Sequence, residues 1–399
     1  MPITPLSITA YTLTNALGAG IEASLTALKS GRSGLRPCDL DEVDLPTWIG
    51  RVEGLEQVAL PPALGDYDCR NNRLAYLALQ QDGFEDRLDR LTERHGAERI
   101  GVFLGTSTSG IARTEAAYLS QGPEPSRLAH DFDCAKTHNI FSCVAFIRDL
   151  MGLTGPALAI STACSSSAKV FAAAHRYIEA GLCDAALVGG VDSLCMTTLY
   201  GFNSLDLISD QPCRPWDLER RGINIGEGAG FALLEAERKG QRGSVPLLLG
   251  YGESSDAYHM STPHPAGAGA ELAMRQALER AGLAPHQVDY INLHGTATRS
   301  NDAAEDRAVS GLFGTGLACS STKGFTGHTL GAAGITEAIF SLLAIEHDLM
   351  PATLQCQSPD PELKAHILLQ PVSDRVRRVL SNSFGFGGNN CSLLFGAPA

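Results

Sequence analysis

Apolar residues along the chain fall into two alternating patterns. Short, nearly continuous apolar runs, SITAYTLT, RIGVFLGTS, ALAIST and AALVGGV, read as buried strands. Between them lie stretches with helical spacing: IEASLTALKSG, NRLAYLALQQ, HNIFSCVAFIRDLM and SSAKVFAAAHRYIEAG. The second half repeats the theme, with strand-like VPLLLGYGES, VDYINLH, LACSST, RRVLSNSF and NCSLLFG around helix-like ELAMRQALERAG, DAAEDRAVSGLF and GAAGITEAIFSLLAIEHD. This alternation predicts an α/β protein whose mixed sheets are covered by helices. The halves, 1–240 and 241–399, meet near residues 240–248, where ERKGQRGSVP is polar and glycine-rich. Residues 33–66, rich in proline and acidic side chains, read as a surface excursion.

Composition narrows the class. With 399 residues, 44% of them apolar, the chain can bury a large core as one big domain or two medium ones. A formal charge of −13 argues against general affinity for nucleic acid or anionic membrane, so an acidic partner needs a local basic patch. The 11 cysteines form no CxxC pair, which fits neither a zinc site nor a disulfide scaffold. The start MPITPLSITAYTLTN lacks the order of a signal peptide and no window has eighteen consecutive apolar residues, so a cytoplasmic protein is expected. Low-complexity tracts and short-period repeats are absent from the sequence.

The chemistry gathers at a few positions. Cys164 ends an apolar strand-like run and opens a helix, where exposed amides and the helix dipole favour thiolate. Such an elbow can expose a nucleophile or can simply need a small residue. His294 ends VDYINL and projects into a loop, where α/β sheets tend to place ligands. His328 lies in KGFTGHTLGAAG, whose small residues also suit plain helix packing. Glu337 sits in the otherwise apolar AAGITEAIFSLLAI and needs a cation, for which Lys323 is the natural candidate. SNSFGFGGNN, residues 381–390, can supply amides to an oxyanion, act as a movable gate, or form an ordinary turn.

All these segments occur in the same order in the β-ketoacyl-acyl carrier protein synthases, which the chain resembles from about residue 5 to residue 397. STACSSS resembles the nucleophile motif, HGTATRSNDAAE the first-histidine motif, STKGFTGHTLGAAGITE the lysine and second-histidine motif, and NSFGFGGNN the gating loop. RPWDLERRGINIGEGAG resembles the segment joining the nucleophile and histidine regions. The resemblance implies the thiolase fold, a five-layer αβαβα sandwich of two related halves. It implies that Cys164 takes an acyl chain from the phosphopantetheine thioester of a carrier protein, and that the amides of Cys164 and Phe386 form the oxyanion hole. His294 and His328 would stabilise the enolate released by malonyl decarboxylation, while Lys323, paired to Glu337, would hold His328. Thr296 and Thr298 match positions that bind the pantetheine arm, and Phe384, Phe386 and Gly387 match the substrate-side gate. Residues 254–265 match a second mobile loop, and Arg70 and Arg73 match contacts to the acidic carrier protein. No metal or organic cofactor is implied, since the phosphopantetheine belongs to the carrier.

Two features bear on the substrate. Thr108 falls where an aliphatic residue would line the acyl pocket of elongating enzymes, and an unpartnered hydroxyl there would disfavour a saturated chain. STACSSSAKVF and LYGFNSLDLISDQPCRPWD resemble ketosynthases of bacterial aryl-polyene and related type II polyketide pathways, which pair with a chain-length-factor subunit. Aryl-polyene elongation by such a heterodimer is therefore the leading expectation, with homodimeric fatty-acid elongation the alternative. A noncatalytic chain-length subunit would not need Cys164. A thiolase would need a second catalytic cysteine, for which Cys391 beside the gating loop is the candidate.

Overall fold

One strand order occurs twice. The computed structural model describes residues 2–120, 132–236 and 245–398, so residues 237–244 of the predicted junction ERKGQRGSVP lie outside the described residues. In the first half, strands β1 (Leu6–Asn15), β2 (Ile100–Gly105), β3 (Ala157–Ile160), β4 (Ala185–Asp192) and β5 (Gly228–Ala236) lie in the order β3-β2-β4-β5-β1. In the second, β6 (Leu247–Ser255), β7 (Tyr290–Asn292), β8 (Ala318–Ser320), β9 (Arg378–Gly385) and β10 (Asn389–Gly396) lie in the order β8-β7-β9-β10-β6. Strand directions match as well: β2 is parallel to β3 and β4, as β7 is to β8 and β9, and the remaining pairs are antiparallel. The halves join through a short antiparallel contact, Leu6 opposite Leu248 and Ser7 opposite Leu247.

Apolar cores fill the spaces between five layers. Helices α1 (Arg70–Leu79) and α2 (Ser142–Met151) cover the outer face of the first sheet through Leu74, Ala78 and Phe146. Helix α3 (Ser166–Glu179) lies between the two sheets, helices α4 (Ala268–Ala281) and α5 (Arg299–Phe313) cover the second, and α6 (Ala333–His347) crosses α3 in the middle layer. This is the αβαβα sandwich expected from the resemblance. Where α6 meets α3, a Cβ on Gly334 would lie 2.3 Å from the Ala168 amide, so glycine is what permits the close approach. The apolar stretch Leu330–His347 is long enough to cross a membrane by composition, yet 89% of it is buried inside the fold as this central helix.

Three elements depart from the sequence reading. Strand β5 was not marked by alternation, because both of its faces are buried and its start is glycine-rich. Helix Phe84–His95 was masked by its charge, since it buries only Phe84, Leu88 and Leu91. Residues 33–66 are not simply a surface excursion. Ile49 and Leu55 are buried, and Trp48–Gly50 pairs with Ile225–Gly226. That small sheet supports the active site: Gly226 donates to the His328 carbonyl at 3.0 Å, and His328 N–H donates to the Asn224 carbonyl at 2.7 Å.

Candidate active site

The elbow at Cys164 is strained in the way a presented nucleophile requires. Between β3 and α3 the chain passes through Ala163 at φ +52°, a left-handed conformation unusual for alanine. Thr162 N–H donates to Ser166 Oγ at 2.9 Å and closes the turn, leaving Cys164 about 5% exposed at the base of a cleft. The Phe386 amide points at the sulfur. Burial pushes the thiol up to about 11, while Lys323 and the Phe386 amide pull the other way. The helix start favours thiolate, as the sequence suggests, but desolvation is the larger effect and favours the thiol.

Both histidines converge on that sulfur. His328 Nε2 lies 2.9 Å from Cys164 Sγ, and the His294 ring stands edge-on to the His328 ring with centroids 5.3 Å apart. Neighbouring donors assign the tautomers. Leu330 N–H donates to His328 Nδ1 at 3.3 Å, and the Lys323 ammonium lies 3.3 Å from His294 Nδ1, so each ring carries its proton on Nε2. The sulfur and the ring nitrogens lie within 4.8 Å of one another, a spacing that a metal could bridge. Metal ligation through Nε2 would force each proton onto an Nδ1 that already faces a donor. The set is therefore arranged for hydrogen-bond donation.

Burial, followed by the charge of Lys323, holds both imidazoles well below the ordinary histidine range. The folded protein thus resists protonation at pH 6.5, where an exposed histidine is half charged. Loss of CO2 from malonyl carrier on acylated enzyme is expected to show no acid limb near pH 6.5. A stopped-flow rate profile checks this, and a limb at that pH would show an ordinary imidazole at the site.

Lys323 and Glu337 form the predicted pair, in close contact and both nearly inaccessible. The lysine, however, also donates to the His294 carbonyl and sits against His294 Nδ1, so it holds His294 rather than His328. His328 is held instead by backbone, through Asn224, Gly226 and Leu330. Glu305 on α5, which the sequence pattern does not single out, accepts with its carboxylate from His294 N–H and Gly295 N–H at 2.8 Å and from Asn382 Nδ2 at 3.1 Å. Burial pushes it up to about 7 against those donors. Its place in HGTATRSNDAAE was the available signal, an acid on a helix that returns towards its own preceding loop.

The cleft is lined by Cys164, His294, His328, Phe384 and Phe386 together with Thr296, Thr298 and Gly387. Thr296 and Thr298 share a hydroxyl hydrogen bond of 2.9 Å. Phe386 packs on Phe202 with ring centroids 5.3 Å apart, closing one wall. The two expected loops are latched together: Gly387 N–H donates to the Met260 carbonyl at 2.7 Å and Asp256 N–H to the Gly388 carbonyl at 2.9 Å.

Other predicted positions lie elsewhere. Thr108 is absent from the cleft lining, and its hydroxyl donates to Asp192 Oδ1 at 3.0 Å, so it is no argument against a saturated chain. Arg70 is committed inward, gripping the fully buried Glu227 at 2.6 Å and Glu56 at 2.8 Å. Arg73 is bound by Asp68 at 2.5 Å. Both guanidiniums thus have carboxylate partners within the chain, which leaves Arg70 in particular poorly placed to grip a carrier protein. Cys391 is buried in the middle core and does not line the cleft, so it cannot act as the second cysteine of a thiolase.

A cysteine on a strained elbow, facing two neutral imidazole donors inside a doubled αβαβα sandwich, defines a thiol-dependent, carbon–carbon bond-forming acyltransferase. Known proteins agree. Residues 72–240 match the N-terminal domain of β-ketoacyl synthases and residues 246–357 the C-terminal domain. The chain is 35% identical to the mitochondrial 3-oxoacyl-[acyl-carrier-protein] synthase of Arabidopsis thaliana, covering 97% of this chain and 92% of that protein. It is 32% identical to 3-oxoacyl-[acyl-carrier-protein] synthase 2 of Vibrio cholerae, covering 97% and 98%. Among solved structures, the ketosynthase ApeO in complex with its chain length factor ApeC, from Xenorhabdus doucetiae, superposes with a TM-score of 0.90 at 38% identity, covering 99% and 98%. The ishigamide ketosynthase/chain length factor superposes at 0.88 with 28% identity, covering all of both chains. The protein belongs to the β-ketoacyl-acyl carrier protein synthases, acyltransferases that extend an acyl chain by condensation.

Proposed function

We propose that the protein performs this condensation through Cys164, His294 and His328, and that its chains are those of an aryl-polyene or related type II polyketide pathway. The convergence of His328 Nε2 on Cys164 Sγ at 2.9 Å, with His294 alongside, carries the chemical part. Cys164 sulfur attacks the acyl thioester of the carrier protein, its proton passes to the departing sulfur, the carbon–sulfur bond to the carrier breaks, and phosphopantetheine leaves as the thiol. The Cys164 and Phe386 amides hold the developing oxyanion. Malonyl carrier then enters along the cleft wall that carries Thr296 and Thr298. Its carbon–carboxylate bond breaks, CO2 departs, and the electron pair forms an enolate whose oxygen accepts from both Nε2–H groups. The enolate carbon attacks the acyl-Cys164 carbonyl, the Cys164 carbon–sulfur bond breaks, and the released thiolate takes one proton from solvent to return the thiol. Lys323 keeps His294 oriented and supplies positive potential to the malonyl carboxylate. Two preorganised donors are enough for this chemistry, so no metal or organic cofactor is invoked.

Likeness to ApeO supports the pathway reading, together with the sequence around STACSSSAKVF. The partners proposed are an acyl carrier protein and a chain-length-factor-like homologue, in the cytoplasm. Fatty-acid elongation by a homodimer is the second reading, favoured by likeness to the 3-oxoacyl-[acyl-carrier-protein] synthases. Competition between carrier proteins loaded with saturated and with conjugated polyenoyl chains, with and without such a homologue, separates the two. The polyene reading expects at least about a tenfold preference in kcat/KM for the conjugated chain, a difference of about 1.4 kcal/mol in transition-state binding. Equal or greater use of the saturated chain by the protein alone would overturn it.

A further inference from the structure

Asp192, the last residue of β4, is fully buried and takes no part in the reaction as written. Its Oδ1 accepts from Thr106 Oγ1 at 2.7 Å, Ser107 N–H at 2.8 Å, and Thr108 N–H and Oγ1 at 3.0 Å. These donors belong to the loop after β2, in its own half of the molecule. Its Oδ2 accepts from Ser107 Oγ and reaches across to the other half, where Gly331 N–H donates to it at 2.6 Å.

Gly331 stands three residues beyond His328, in the turn that fixes the imidazole. In that turn Leu330 is held at φ +51°, a conformation leucine rarely adopts, and its N–H is the donor to His328 Nδ1. The turn needs an external restraint to keep that geometry, and the Asp192 carboxylate supplies one at the next peptide. A Cβ at Gly331 would lie 2.7 Å from both Asp192 Oδ2 and the Ser107 amide, so the fit leaves no room for another residue.

We propose that Asp192 is a positioning residue that clamps the Leu330–Gly331 turn, thereby keeping the His328 proton on Nε2 and aimed at the reacting centre. The clamp also ties the His328 turn to the loop after β2, so the two halves of the molecule share one carboxylate at the site. The proposal rests on the assignment of His328 to the enolate and predicts a split between steps. Acyl transfer to Cys164 does not need His328 as an enolate donor, whereas malonyl decarboxylation does.

Asp192→Asn puts an amide where donors already point, and Gly331→Ala pushes the turn away while keeping the carboxylate. In both variants intact-mass kinetics should show acylation of Cys164 within about threefold of the parent, while CO2 release from malonyl carrier falls about 100-fold, the scale of a misplacement near 1 Å. Nitrogen-15 histidine spectra should show only the Nε2–H tautomer of His328 in the parent and a mixture in the variants. Folded variants that lose both steps equally, or that keep CO2 release, would overturn the proposal. Failure of both to fold would overturn it too, by giving Asp192 a purely architectural role. Failure of the parent itself to acylate Cys164 would instead bring down the underlying assignment of the site.

Discussion

Cys164→Ala is expected to lower condensation by at least about 1,000-fold and to remove all acyl label from the protein, because no other cysteine lines the cleft. Cys391 is buried away from the cleft, and burial pushes its thiol still higher. The loss should be one of chemistry and not of folding. Alanine fills most of the thiol's space, and the Ala163 elbow and Ser166 turn remain. Intact mass and product analysis on variant protein, with its denaturation midpoint measured alongside, check both halves of the expectation. Retention of label at another residue would move the nucleophile.

Lys323→Met should damage both stability and catalysis. It leaves the Glu337 carboxylate, at 3% side-chain exposure, without its cation. Breaking a buried pair from one side costs about 3–5 kcal/mol. Burial already pushes Glu337 up to about 7 against the ammonium's pull, so losing that pull drives it further towards the neutral acid. The lost contacts to the His294 carbonyl and Nδ1 also free the ring to adopt the wrong tautomer. Adding Glu337→Gln should recover a large part of the denaturation midpoint but not the CO2 release. Recovery of both would show that the lysine serves only to neutralise Glu337.

The chain announces its reacting groups more clearly than the groups that hold them. Cys164, His294, His328 and Lys323 sit in unusual local contexts, a strand end, a glycine-rich turn or an apolar helix start, and local context is what a sequence displays. The Lys323–Glu337 pair followed from one acid in an apolar stretch. Whether the lysine leaned on His294 or His328 depended on how β7 and the turn after β8 approach in space, and no spacing encodes that. Glu305 and Asp192 act through backbone amides, which leave no mark on residue type. Arg70 looked like an exposed contact because its partner Glu227 is distant in sequence and buried. The repeated strand order was only half legible, since β5 is covered on both faces and lacks alternation.

One sulfur receives the acyl chain, and two neutral imidazoles beside it drive its extension. A pulse–chase on the protein tests this most directly: acyl carrier first, then malonyl carrier, with intact mass and released CO2 followed together. A single acyl adduct is expected on Cys164, discharged as a β-ketoacyl carrier in step with one CO2 per adduct. CO2 release with the adduct still in place, discharge without CO2, or an adduct on any other residue would contradict it.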